Sequence, residues 1–544
     1  MKASMKEMSW VMTTCFLFHF LATTAVTAQD ARSVVAVPGP IERVSGGFAY
    51  VEGPAYDGQG GVWFTTRVGL ARYDIETGRT TIPVPTPDHG GANGLWFEED
   101  GSLLAAETTP PRITRRSGDT VTVIADQWEG GGFSFPNDLV QDAKGGIYFT
   151  DFNAGNVFYI TPEEEIIRVD FGNLMPNGVI LSPDEKTLYV STSGQDRIFR
   201  YHVAEDGTLS GKASFVEIAN ATFDGLSIDA AGNVYGTIFN MNRVVVWTPE
   251  GELVVEVAIP PAQTRNVTWA EGKLYVTSGG ELYAFDLAFV PIVDTDGSGS
   301  VDLPDLVRLI HAWGQDDPVV DFAPLPNGDG VVDQADLEVL MAEWGREPND
   351  PTLTTHWRLD ETEGVTASDS VADSDGLLAN GPVWQPEGGA KGGALAFDGV
   401  DDHVQTPLVL DPQEGPFTIL AWVKGGVPGQ VILSQEGGNN WLVADTQEGF
   451  LFTEIRGKAR GSAALRSETA ITDGDWHRVG LVWDGAHRSL LLDGALVATD
   501  LVHQDRLVVS RGGLTIGTGV GLIAGTFWSG LIDDIRIYER VILP

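Results

Sequence analysis

The chain has 544 residues, more than one ordinary domain holds, and its 42% hydrophobic content is enough to fill globular cores. Its 76 acidic against 34 basic residues leave a net charge of -42, which argues against nucleic acid as a partner and suits solubility or cation binding. The single cysteine, Cys15, falls in the segment read below as a signal, so the processed chain offers no disulfide, thiolate nucleophile or Cys-ligated metal.

At the N-terminus Lys2 and Lys6 precede an apolar run from Trp10 to Ala22, and Val26-Thr27-Ala28 supplies the small residues that signal peptidase accepts. This pattern predicts a bacterial-type secretory signal over 1–28 and a secreted protein, extracellular or periplasmic. The run is too short for a good membrane span, and no later segment reaches about 18 apolar residues.

From Glu52 to Val276 one short pattern recurs six times, a polar residue followed by a turn and an alternating apolar strand. The openings Glu52, Asn93, Asn137, Asn177, Asp224 and Asn266 are separated by 41, 44, 40, 47 and 42 residues. A period of 40 to 50 residues with several short strands per unit predicts a β-propeller, here of six blades over 29–290. The strands Val62–Thr65, Leu103–Ala106, Ile147–Thr150, Leu188–Ser191, Val234–Thr237 and Leu274–Thr277 are rich in β-formers that pack blade on blade. Val34 to Val37 is expected to add an outer strand to the last blade. Equivalent repeats bring the six openings together at the channel as a ring of carboxylates and amides. Such a ring suits a hard divalent cation, Ca²⁺ first and Mg²⁺ or Mn²⁺ as alternatives. Zinc fits poorly, since the propeller's histidines, His89 and His202, lie off the ring, and no G-x-S-x-G supports a serine hydrolase. The competing reading is a solvated channel whose polar residues bind only water.

Several of these stretches, among them Val51 to Asp57, Ala92 to Leu95, Arg112 to Arg115, Phe135 to Leu139, Tyr148 to Asp151, Pro176 to Asp184 and Phe223 to Asp229, together resemble the gluconolactonase/regucalcin (SMP-30/LRE-like) family over residues 34 to 288. The resemblance implies a six-bladed, metal-dependent lactonase. It makes Glu52, Asn177 and Asp224 metal ligands, has Asn137 complete the shell or touch substrate, and gives Asp224 a general-base role. Asn93, Arg112 and Arg115 become candidate substrate contacts, and a sugar-type lactone the expected substrate. Three departures weaken the substrate assignment: Phe135 stands where some relatives carry arginine, Glu107-Thr108 where bacterial relatives often carry histidine, and Phe152-Asn-Ala-Gly where they often carry a Pro-x-Tyr-Gly turn.

After Leu287 the composition turns to Asp, Gly and Pro. Asp294, Asp296, Ser298, Asp302 and Asp305 fall at positions 1, 3, 5, 9 and 12 of a calcium loop, with Ser300 at 7 and Gly299 at the turn. Leu306, Leu309, Ile310 and Trp313 then mark a helical stripe. A second copy follows with Asn327, Asp329, Val331, Asp333 and Asp336 at positions 3, 5, 7, 9 and 12; Leu325 stands at position 1, and Asp321 is the candidate replacement. Leu337, Leu340, Met341 and Trp344 repeat the stripe. The pair resembles a dockerin, which implies a small α module over 291–347, Ca²⁺ in both loops and a cohesin-like scaffold as partner; a calcium-stiffened spacer is the competing reading.

A linker over 348–353 leads into alternating strands and Gly-rich turns from 354 to 544. The segments His356–Asp360, Gly393–Val404, Phe417–Val423, Asp475–Val479, Leu490–Gly494 and Gly530–Tyr538 resemble, in that order, a laminin-G-like, concanavalin-type jelly roll. Asp398, Asp401 and Asp533 are candidate calcium ligands there. Trp422, Trp476 and Trp483 are expected in the core, with Trp528 the candidate exposed aromatic. The chain thus reads as mainly β, and as an exported lactonase carrying modules that place it near a scaffold or a carbohydrate polymer. The alternative is a noncatalytic, calcium-stabilised carbohydrate-binding or adhesion protein.

Overall fold

The computed structural model describes residues 34–543 apart from 87, 261–262, 349, 409, 412–414, 457–463, 502, 505–506 and 508–511; the signal reading at 1–28, Cys15 included, lies outside them. It divides into two compact units, Ser33–Asp294 with Gly299–Pro351, and Thr295–Ser298 with Thr352–Pro544.

In the first unit each sequence repeat folds as one antiparallel sheet. The innermost strands are Val51–Tyr56, Ala92–Phe97, Pro136–Gln141, Pro176–Leu181, Phe223–Ile228 and Thr264–Ala270, and they touch one another around a ring. The result is a six-bladed propeller. Val34–Pro38 pairs antiparallel with Glu281–Pro291 of the sixth blade, so the N-terminal strand closes the ring as the pattern predicted. Between blades, alternate side chains interdigitate; Tyr148, Leu188, Val190, Ile198, Phe223 and Val234 form one such buried cluster.

Four of the six innermost strands carry glycine at the turn, Gly53, Gly94, Gly178 and Gly225, and the choice has a steric reason. Gly53 sits at φ +50°, and a Cβ there would lie 2.0 Å from the Asn93 carbonyl oxygen of the next blade. At Gly225 a Cβ would lie 2.0 Å from the Asn266 side chain. Glycine lets neighbouring innermost strands close around the channel.

Two helices follow, α1 (Leu303–His311) and α2 (Gln334–Ala342). Each starts at an aspartate capping box, Asp302 with Asp305 and Asp333 with Asp336. Leu309 and Leu340 pack with Val301, Val320, Phe322 and Val332. Leu306 and Leu337 are half-buried against the same cluster, while the other stripe residues turn outward: Ile310 and Trp313 are 54% and 46% exposed, and Met341 and Trp344 48% and 39%.

The second unit is built on two eight-stranded sheets. Its long strand Ser529–Tyr538 pairs with Ala394–Asp398, Phe417–Gly425 and Leu353–Trp357. The β-rich arrangement is that of a jelly roll. Trp357, Trp441, Trp483 and Trp528 all lie in its core. Trp528 is fully buried, which corrects its reading as an exposed aromatic: the ring packs over Gly426, where no side chain intervenes. Trp422 and Trp476, expected in the core, are half-buried.

Candidate active site and metal centre

The floor of the propeller channel is set by strand register. In blades one, three, four and five, a hydroxyl on the second strand donates to the carbonyl of the ring residue in the next blade. The pairs are Thr65 to Asn93 (3.3 Å), Thr150 to Asn177 (2.7 Å), Ser191 to Asp224 (2.5 Å) and Thr237 to Arg265 (2.6 Å). The sixth ring residue is therefore Arg265, which corrects the reading of Asn266. Asn266 sits one position on, at the place held by Gly53, Gly94, Asp138, Gly178 and Gly225 in the other blades. It points toward the other mouth of the channel, where its Nδ2 donates to Asp138 Oδ2 (3.3 Å) from the opposite blade. The spacing carried this signal: Asn93, Asn137, Asn177 and Asp224 each stand two residues before an apolar strand residue, and counting back from Val267 gives Arg265.

Glu52, Asn93, Asn137, Asn177, Asp224 and Arg265 line one cavity of about 380 Å³, within the range of small-molecule sites. Tyr50, Phe135, Phe152, Met175, Ser193 and Phe239 are among its walls. Glu52, Asn93, Asn137, Asn177 and Asp224 are all buried. Tyr50 donates to Asn93 Oδ1 (2.7 Å), and Asn177 Nδ2 donates to Ser193 Oγ (3.1 Å). That bond fixes the Asn177 amide and leaves its Oδ1, like Glu52 Oε2, buried with no hydrogen-bond partner. A buried oxygen without a partner costs stability unless a ligand satisfies it. The guanidinium of Arg265 lies between Tyr50 (4.8 Å to the ring centroid) and Phe239 (5.0 Å), a cation on two aromatic faces.

Burial disfavours charge throughout this floor. It pushes Asp224 up to about 7, with Arg265 opposing and Asp138 adding to the rise. Glu52 is pushed well above the carboxylate range by burial and then by the charge of Asp224. Asp138 is raised to about 7 by its own burial. Two carboxylates and several amide oxygens, two of them unpartnered, form a donor set that fits a hard divalent cation.

Arg112 and Arg115 do not reach this cavity, which corrects their reading as substrate contacts. They belong to Pro111–Ser117, the third strand of blade two, away from the channel. There Arg112 Nε donates to Glu107 (2.5 Å) and Arg115 is bidentate on Glu98 (2.5 and 2.8 Å).

Elsewhere, carboxylate oxygens of Asp294, Asp296 and Asp305 gather within 4.8 Å in the first loop. Ser298, Ser300 and Asp302 complete that loop in sequence, Asp302 as helix cap. In the second loop, Asp321 accepts from Asp329 N (3.3 Å) and Gly330 N (2.7 Å), so its carboxylate reaches the loop that Leu325 cannot serve. Asp336 accepts from Phe322 N, Ala323 N and Asp333 N, the Val331 amide bonds to Asp329, and Asn327 donates to Asn233. In the second unit Asp398 and Asp401 cluster with Asp402, which the sequence reading missed. Asp533 does not join them; it is fully buried and accepts from Lys391 N (2.8 Å).

A family model described as the SMP-30/Gluconolactonase/LRE-like region matches residues 50–280, and one described as the Concanavalin A-like lectin/glucanases superfamily matches residues 398–544. A gluconolactonase of Zymomonas mobilis is 25% identical over 273 residues, 42% of this chain and 76% of that protein. The lactonase drp35 of Staphylococcus saprophyticus is 32% identical over 135 residues, 23% of this chain and 42% of that protein, so the chain spans less than half of that relative. A solved gluconolactonase from Xanthomonas campestris shares 24% identity and a TM-score of 0.43, over 46% of this chain and 90% of that one. The propeller of this chain is thus gluconolactonase-like, and its C-terminal domain concanavalin A-like.

Proposed function

We propose that the chain is an exported, metal-dependent lactone hydrolase whose appended modules tether it. The observation that carries the reading is the floor of the upper cavity, where Glu52 Oε2 and Asn177 Oδ1 are buried without partners beside Asp224. Glu52, Asn177 and Asp224 would hold the ion, with Asn137 beside them. When bound there, a cation such as Ca²⁺ supplies Lewis-acid polarisation of a carbonyl.

The chain's own residues supply the rest. Asp224, a buried carboxylate lining the cavity, would accept a proton from the attacking water. The neighbouring Asn177 side chain favours the charged form of Asp224 against the push from burial. Arg265 faces the two carboxylates and balances part of their charge as the proton moves. Water oxygen adds to the lactone carbonyl carbon, the ring C–O bond breaks, and the leaving oxygen takes a proton to give a hydroxy acid.

The apolar run Trp10–Ala22 behind Lys2 and Lys6 supports export. Docking is supported by the twin outward faces of the helix pair, Ile310 with Trp313 and Met341 with Trp344, which are unusually apolar for a free surface. The loop carboxylates support Ca²⁺ in that module. A cohesin-like scaffold fits such a surface, and a carbohydrate polymer is the proposed ligand of the concanavalin A-like domain.

The test is lactone turnover by the purified chain with chelator, then with Ca²⁺ or Mn²⁺ restored, beside Asp224→Asn. Activity that disappears and returns with metal, and is missing from a folded Asp224→Asn, is expected. Turnover indifferent to chelator contradicts the metal role, and no turnover on any lactone contradicts the function.

A further inference from the structure

The geometry points to a lactone bearing an aryl or alkyl substituent, rather than a polyhydroxylated one, as the ligand class of the upper cavity; this rests on the lactonase reading above. Above the polar floor the walls are predominantly apolar. Phe135, Phe152 and Phe239 are half-buried there, and Met175, which also lines the cavity, is 40% exposed. Leu174, next to Met175, is 59% exposed and extends the apolar surface outward.

These walls are built in place. Asp151 accepts from Ser134 N (2.9 Å) and Phe135 N (2.7 Å), and Phe152 N donates to the Phe135 carbonyl (3.0 Å). Phe135 and Phe152 are thereby fixed with ring centroids 6.0 Å apart. Phe239 is held in the same way, its N–H donating to the Thr222 carbonyl (2.9 Å). A preformed apolar slot binds an apolar group without the cost of ordering its walls.

Of the polar groups lining the cavity, the Tyr50 and Ser193 hydroxyls are already engaged within the protein. The Tyr50 hydroxyl donates to Asn93, and Ser193 Oγ donates to the Phe223 carbonyl (2.7 Å) while accepting from Asn177. Sugar hydroxyls placed against Phe135, Phe152 and Phe239 would lose water without regaining hydrogen bonds there. A planar or branched hydrocarbon loses nothing there and packs against three aromatic side chains. The lactone ring itself would sit below, with its carbonyl toward Asn177 and Asp224 and with Arg265 at its side.

The experiment compares kcat/KM of the full-length metal-loaded chain on three δ-lactones: glucono-δ-lactone, δ-valerolactone and the aryl-fused dihydrocoumarin, beside Phe135→Ser and Phe152→Ser. Expected is a kcat/KM for dihydrocoumarin at least about tenfold above that for glucono-δ-lactone, expressed mainly in KM, with the ratio falling severalfold in either variant. A ratio taken within one preparation cancels any loss of folded protein. Equal or better turnover of glucono-δ-lactone, or a ratio unmoved in both variants, overturns the assignment and leaves the lactonase reading standing. Failure to open any of the three overturns both.

Discussion

Asp224 in the propeller and Asp534 in the concanavalin A-like domain are both buried aspartates, and their protonation is driven in opposite directions. Asp224 is pushed up to about 7, chiefly by burial. Burial acts on Asp534 too, but His356 (2.7 Å) and Arg536 (2.9 Å) more than offset it and hold the carboxyl at about 2. At Asp534, a buried carboxylate is matched by Arg536 and His356. On the channel floor, two carboxylates share the neighbourhood of Arg265 and leave oxygens without partners. Two buried carboxylates that line one cavity, without a charged partner for each, mark the channel floor as the candidate site.

The comparison can be broken at several points. Replacing Asp224 by Asn is expected to lower kcat/KM for the preferred lactone by about 10²–10⁴-fold, the range of a lost general base, with the circular dichroism unchanged. Asp534→Ala should leave turnover alone and instead weaken its own unit by about 3–5 kcal/mol in chemical denaturation, because His356 and Arg536 lose a buried partner.

The pH dependence of that unit follows from the same contact. Asp534 is depressed in the folded state, so its contribution is complete above the ordinary aspartate range and is lost as pH falls from about 4 toward about 2. On the order of 2 kcal/mol is at stake, and thermal unfolding of wild type and Asp534→Asn followed from pH 5 to 2 should converge as the pH drops. A smaller effect is expected at the register bond: Thr237→Val removes the donor to the Arg265 carbonyl and should cost about 1 kcal/mol of propeller stability by calorimetry. The smallest belongs to blade two, where Arg112→Ala and Arg115→Ala should keep kcat/KM within about twofold, their guanidinium groups being engaged with Glu107 and Glu98 near the surface.

Much of the propeller was legible because its repeat is imposed by backbone packing. The turn after each ring residue needs glycine or a compact substitute, the strand that follows needs alternating apolar residues, and both recur at blade spacing. Ring closure by Val34–Pro38 followed from the same periodicity. The sixth ring residue was misread because Asn266 has the residue type of a ring member while Arg265 has its register. Only the distance to Val267, or the Thr237 bond, distinguishes them. The wall of the cavity was less legible still. Phe135 and Phe152 are separated in sequence and joined by the pairing of strand ends, and Phe239 is paired to Thr222 in another blade, which no local pattern announces. Likewise Trp528 looks like a solvent-facing aromatic beside Ser529, and only the empty side of Gly426 shows why it turns inward.

The most direct measurement is a calorimetric titration of chelator-stripped chain with Ca²⁺, run in parallel on Glu52→Gln and on Asp224→Asn. The account predicts that each variant loses one binding event present in the wild type while the events of the helix-loop module persist. Identical stoichiometry and affinity in all three proteins would contradict it, leaving the channel floor a polar ring that holds no cation.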